Sequence, residues 1–154
     1  MQIAVGGDHA GFDLKELLIS WLQSAGHQVE DVGAHHLDPE DDYPDFAFAV
    51  AESVRSGRAE RGVVVCGSGV GASVTATKVV GVRACLCHDS YTGRQGVEHD
   101  DMNVLCLGGR VIGIEVAKEV LAAFVAASFI PEERFKRRLD KLLQIEERGL
   151  RGKP

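Results

Sequence analysis

The sequence predicts an α/β fold: a three-layer α/β/α, Rossmann-like domain with a five-stranded parallel sheet and an extra C-terminal helix. Three observations lead there. Five short apolar runs alternate with stretches of helical periodicity, which is the β-α-β-α order of a doubly wound sheet. The runs are apolar almost throughout rather than at every second residue, as suits parallel strands covered on both faces. Each run ends in Gly or a polar residue, and ligands of open α/β sheets collect at those carboxyl ends.

Ile3–Val5 is the first strand, before Gly6, Gly7 and Asp8. Phe12, Leu14, Leu17, Leu18, Trp21 and Leu22 then recur at helical spacing and stop short of Gly26, a fitting residue to close a helix. Gln28–Val32 reads as the second strand. Pro44 suits the first position of a second helix, carried by the apolar run Phe46–Val54. Gly62–Cys66 is the third strand and runs into a glycine-rich turn, with a third helix from near Val70. Arg83–Cys87 precedes His88 and Asp89, a short fourth helix starts near Tyr91, and Val104–Leu107 precedes Gly108 and Gly109. A fifth helix runs from about Ile114 to Ala127. Pro131 begins the last helix, about residues 131–148, which no strand follows and which is expected to pack on a neighbouring subunit. With no repeat, linker or low-complexity stretch, the expectation is one domain over residues 1–154.

A chain of 154 residues with 45% hydrophobic content can bury a core without disulfides or a structural metal. No apolar run nears the roughly 18–20 residues that span a bilayer. The N-terminus turns to Gly and Asp after Val5, unlike a signal peptide. A soluble cytoplasmic enzyme or binding domain, without a membrane partner, is therefore expected. The net charge of −6 argues against nonspecific binding to nucleic acid. It is unevenly spread, however. From Arg134 onward there are eight bases and three acids, net +5, against net −11 over the first 133 residues. Such a tail pairs with an acidic surface or binds an anion.

The cysteines Cys66, Cys85, Cys87 and Cys106 contain no C-x-x-C pair, which weakens zinc and dithiol readings. Cys85 and Cys87, two apart in an apolar run, share one face of a strand and are expected to be buried structural thiols. His35 and His36 beside Asp38 invite a metal reading, but no further ligand is in register, so no metal site is expected.

The richest stretch is Cys66-Gly67-Ser68-Gly69-Val70-Gly71, where a buried strand enters a helix through three glycines. Glycines let the backbone come close to a ligand, and a helix N-terminus offers free N–H groups to an anion. Gly67, Gly69 and Ala72 also fit a relaxed dinucleotide fingerprint, with Asp89 placed as a ribose-binding acid, but little chain remains for a second nucleotide half. A cysteine-phosphatase loop needs an arginine where Ala72 stands. The third reading is an oxyanion cradle beside a thiol whose pKa the helix N-terminus would lower.

Four motifs together carry a family resemblance: Gly6-Gly7-Asp8-His9-Ala10-Gly11-Phe12, Asp42-Tyr43-Pro44, the Cys66–Gly71 turn, and His99-Asp100-Asp101-Met102-Asn103-Val104 followed by Gly108-Gly109-Arg110-Val111. From residue 3 to about 147 the chain resembles the type B ribose-5-phosphate isomerases, whose family includes galactose- and allose-6-phosphate isomerases. The resemblance implies interconversion of ribose 5-phosphate and ribulose 5-phosphate through a cis-enediolate, without metal or cofactor. Isomerisation of a hexose 6-phosphate, or a non-catalytic sugar-phosphate or nucleotide-binding module, is the alternative. Cys66 matches the proton-moving base, and Ala72 stands where some branches carry a Glu for that task. The amides of Gly67, Ser68, Gly69, Val70 and Gly71 match the enediolate cradle, with the Ser68 hydroxyl near the ring oxygen. His99, read in a polar loop between the fourth helix and the last strand, matches the ring-opening acid. Asp8 and Tyr43 match sugar contacts, and His9, Arg110, Arg134 and Arg138 match phosphate and substrate-chain contacts. Arg134 and Arg138, four apart on a helix, also share one face independently of any resemblance. Family sites are shared between subunits, which implies a homodimer or a dimer of dimers. Asp100 departs from the family's usual Asn, and its backbone N–H rather than its carboxylate is expected to meet the oxyanion. Residues 38–42 form an acidic loop, expected to discourage phosphate nearby.

Overall fold

The structure, a computed structural model, describes residues 1–152. Lys153, counted in the basic tail, lies outside them, and so does the side chain of Arg151. Five parallel strands form one sheet: β1 (Gln2–Gly7), β2 (Gln28–Asp31), β3 (Arg61–Cys66), β4 (Ala84–Leu86) and β5 (Val104–Gly108), in the order β2-β1-β3-β5-β4. Six helices accompany them: α1 (Phe12–Ser24), α2 (Tyr43–Arg55), α3 (Val70–Ala76), α4 (Ser90–Asp100), α5 (Ile114–Ala126) and α6 (Glu133–Arg151). The predicted α/β/α architecture is the observed one.

Alternation along the central strands divides the core in two. Ile3, Val5, Val63, Val65, Leu105 and Leu107 point to one face and pack against α1, α4 and α5. Ala4, Val64, Cys66, Val104 and Cys106 point to the other, under α2 and α3. The continuous apolar runs of β1, β3 and β5 thus have the reason expected of them: both faces are covered. The outer strands differ. Gln28 and Asp31 of β2 are exposed, because an edge strand has one neighbour fewer.

At the other edge, Cys85 corrects the expectation of two buried thiols. Cys87 is buried in the core, but Cys85 is exposed. Strand β4 has three residues and no outer neighbour, so Cys85 opens toward a cavity of about 570 Å³ bordered by Leu142 and Ile145 of α6. A hydrogen bond from Cys87 pulls the Cys85 thiol down to about 6.

Two further placements differ from expectation. Pro44 is the second residue of α2 rather than the first, because Asp42 is the N-cap and Tyr43 opens the helix. His99 belongs to the last turn of α4, not to the loop after it. The Asp89 carboxylate caps that helix by accepting from Thr92 N–H at 2.8 Å, and Asp101 closes it in a left-handed conformation with φ 52°. Arg83 fixes this end, donating to the Asp101 carbonyl and carboxylate, both at 2.6 Å.

Helix α6 leaves the sheet. Its buried Phe135 stacks on His99 with centroids 4.0 Å apart, and Glu146 accepts from Gly81 N–H at 3.0 Å. Leu142, Leu143, Ile145 and Leu150 remain exposed along it.

Candidate functional site

The strand order reverses between β1 and β3: from β1 the chain moves outward to β2, then returns to start the other half at β3. A crevice opens at such a switch point, beyond the carboxyl ends of the two strands. There the structure places a cavity of about 380 Å³ lined by Asp8, His9, Tyr43, Cys66, Gly67, Ser68, Gly71 and Arg110, with Ala10 and Val111 at its wall. Eight of the residues singled out from the sequence are therefore gathered in one place.

Each side chain is held by an identifiable contact. Asp8 immediately follows β1, and its Oδ1 accepts from the N–H groups of Ala10 and Gly11, each at 3.0 Å. It is 6% exposed, and burial pushes its carboxyl above the usual range despite those two bonds. Cys66 ends β3, where its Sγ accepts from Gly69 N–H at 3.1 Å. That bond turns an amide dipole toward sulfur. Gly69 needs to be glycine: its φ is 80°, and a Cβ would lie 2.9 Å from the Leu107 carbonyl carbon. At Gly71 a Cβ would meet the Tyr43 ring at 2.6 Å, so the missing side chain is the space Tyr43 fills.

The loop after β5 closes the site from the other side. Gly109 N–H donates to the Cys66 carbonyl at 2.8 Å and Arg110 N–H to the Gly67 carbonyl at 3.0 Å. These two bonds bring the Arg110 side chain within 3.7 Å of the position a Gly67 Cβ would take. The first turn of α3 has amides without intrahelical acceptors, and Ser68 Oγ takes one of them, from Val70, at 3.3 Å. Such a site combines a sulfur nucleophile or base, an N–H cradle for an oxyanion, an imidazole and a guanidinium. Gly69 and Val70 build the cradle loop without lining the cavity.

The remaining predicted residues stand apart. His99, Asp100, Arg134 and Arg138 do not line this cavity. His99 and Arg134 meet at the α4–α6 junction: His99 lies between Phe135 and Gln95, whose Nε2 is 2.8 Å from His99 Nδ1, and the Arg134 guanidinium sits 5.3 Å from the Phe135 ring, while Asp100 ends α4 and Arg138 lies one turn beyond Arg134 on α6. Asp100, Arg134 and Arg138 are exposed. Among the described residues no group of three or more His, Cys, Asp and Glu side chains converges as a metal site, and His35 and His36 find no third ligand.

Two contributors escaped the sequence reading. His88 Nε2 accepts from Gly108 N–H at 2.9 Å and so steadies the β5 loop. Its place at the end of a strand was the available signal. Asp41 bonds His9 at both the backbone and the ring. Nothing local marked it among the neighbouring acids, because the contact spans 32 residues.

Residues 3–142 match the ribose/galactose isomerase family. The chain is 37% identical to ribose-5-phosphate isomerase B of Escherichia coli, covering 96% of this chain and 97% of that protein. It is 38% identical to D-erythrulose-4-phosphate isomerase of Pectobacterium atrosepticum over 84% of this chain and 85% of that one. The structure superposes on Clostridium thermocellum ribose-5-phosphate isomerase B with a TM-score of 0.93 and 41% identity, covering 97% and 99% of the two chains.

Proposed function

Because the chain belongs to the ribose/galactose isomerase family of sugar-phosphate isomerases, we propose that it interconverts ribose 5-phosphate and ribulose 5-phosphate by metal-independent proton transfer. The observation that carries this reading is the convergence of Cys66, the Gly67–Gly71 cradle, Asp8, His9, Tyr43 and Arg110 at one switch-point cavity. In the open-chain aldose, the Cys66 thiolate removes the C2 proton. The C–H electron pair forms the C1–C2 double bond, and the carbonyl pair moves to O1, which the loop amides receive. The O2 proton passes to O1, the thiol returns its proton to C1, and the ketose results, with protons and electrons balanced. The phosphate binds away from the reacting carbons and orients them.

The ring form of the sugar must open first, and His99 is the proposed acid. It lies outside the cavity with Asp100, Arg134 and Arg138, so in this reading a second copy of the chain supplies these residues and the site is completed in a homodimer. The exposed apolar residues of α6 support that arrangement by leaving a surface for another chain to cover. A four-carbon substrate is the second reading, favoured by the likeness to the Pectobacterium relative.

The test is a panel of four-, five- and six-carbon aldose phosphates, assayed with and without chelator, for wild type and Cys66→Ala. Turnover highest with ribose 5-phosphate, unaffected by chelation and reduced at least about a thousandfold by Cys66→Ala, is expected. An unchanged rate in Cys66→Ala would remove the thiolate from the mechanism. Loss of activity on chelation would replace proton transfer by a metal-dependent hydride shift.

A further inference from the structure

Residues 38–42 look hostile to phosphate in the sequence, yet the structure puts one of these acids to the opposite use. Asp41 Oδ1 accepts from His9 N–H at 2.9 Å and lies 2.7 Å from His9 Nδ1. The Asp41 side chain is 10% exposed, and its Oδ2 is buried without a hydrogen-bond partner among the described residues. A carboxylate placed so, with one oxygen unpartnered, needs a cation beside it, and the ion pair it makes is with His9. With Nδ1–H committed to Asp41, the other ring nitrogen is left for the cavity that His9 lines with Arg110.

We propose that Asp41 is a positioning residue that keeps His9 an imidazolium, making His9 a fixed cation for the substrate's phosphate. The proposal rests on the phosphorylated-sugar reading above. An imidazolium held by a carboxylate at one nitrogen presents its second N–H in a set direction, and a charge-assisted bond to phosphate is roughly twice as strong as a neutral one. The groups facing His9 agree in sign. The hydrogen bond with Asp41 pushes its pKa up, burial works against that, and the charges of Asp8 and Asp41 add to the rise. Arg110 shares the cavity, while His35, His36 and Asp38 border a separate hollow that Asp41 also lines. The acidic loop is thereby a source of positive charge at the site, one residue removed.

The experiment compares wild type with Asp41→Asn, which keeps size and the Oδ1 acceptor but loses the charge. NMR titration of the His9 ring from about pH 5 to 9 reads the charge directly, and KM and kcat for ribose 5-phosphate read its use. In wild type His9 titrates above the ordinary value of about 6.5, and Asp41→Asn lowers its midpoint. At a pH between the two His9 midpoints the substitution raises KM several-fold, with a smaller change in kcat; at about pH 5.5, where both imidazoles are protonated, the gap closes. Asp41→Glu restores part of the loss. Identical His9 titrations in the two proteins would overturn the charge assignment. A KM increase of equal size at both pH values would overturn the phosphate role in favour of packing. Should wild type turn over no member of the sugar-phosphate panel, the isomerase reading fails, and inorganic phosphate titrated against the His9 resonance takes its place. A shift in wild type and none in Asp41→Asn supports the pair as an anion site, and no shift in either overturns it.

Discussion

Gly69→Ala is the substitution for which the structure gives the most definite cost. The residue has φ 80°, a conformation that costs an L-residue about 1–2 kcal/mol. Its new Cβ would lie 2.4 Å from Leu86 Cδ1, 2.9 Å from the Leu107 carbonyl carbon and 3.1 Å from the Leu107 oxygen. Leu86 is a flexible side-chain end and can turn away. The Leu107 atoms are backbone of the interior strand β5 and cannot, so overpacking adds about 1–3 kcal/mol. The sum, about 2–5 kcal/mol, is a large share of the roughly 5–15 kcal/mol that stabilises a domain. With a urea slope of about 2 kcal/mol per molar, the unfolding midpoint falls by about 1–2.5 M. Activity falls further than stability, because relief of the clash moves the Gly69 N–H away from Cys66 Sγ. Equilibrium urea unfolding followed by circular dichroism, with kcat measured under native conditions, checks both. Gly71→Ala is the internal control: its Cβ meets the exposed ring of Tyr43, which can swing outward, so stability changes by less than about 1 kcal/mol while activity is lost. If the midpoint for Gly69→Ala moved by less than about 0.3 M, the inference that this loop is pinned against β5 would be wrong.

Arg134→Ala is expected to raise KM for phosphorylated sugars about tenfold or more and to leave binding of the unphosphorylated sugar unchanged; an equal loss for both would place Arg134 outside the phosphate clamp. Asp8→Asn separates stability from function. Burial raises the Asp8 pKa, so the folded state holds that proton more tightly than the unfolded chain. The stability this carboxyl contributes is present at low pH and is lost as pH rises from the ordinary carboxylate value through the raised one. Asn, which keeps the acceptor for Ala10 and Gly11, therefore stabilises the protein at pH 7 by about 0.5 kcal/mol or more while lowering turnover. Thermal melts at about pH 3 and pH 7 check the sign, since the gain must vanish at the acidic end.

The periodicity of the chain carried the fold because both repeats are local. Val63-Val64-Val65 can only be a strand covered on both faces, and Leu14, Leu18 and Leu22 can only share one helix stripe. Glycine-rich turns were legible for the same reason: three glycines within five residues mark a sharp turn, and Gly69 takes its positive φ there. The exposure of Cys85 was not legible, since which strand lies at a sheet edge depends on strand order and not on the strand's own residues.

The candidate site divides along the same line. The residue types at the ends of β1, β3 and β5 were determined by the sequence, and the motif order that relates this chain to its family was legible there too. Tertiary structure decided which of them meet. It brought Asp8 and Cys66 together because the sheet reverses direction between β1 and β3. It set His99 and Arg134 apart, around Phe135, because α6 leaves the sheet and docks on α4. It also paired Asp41 with His9 across 32 residues. Proximity between distant residues follows from how layers pack, and no local pattern encodes it.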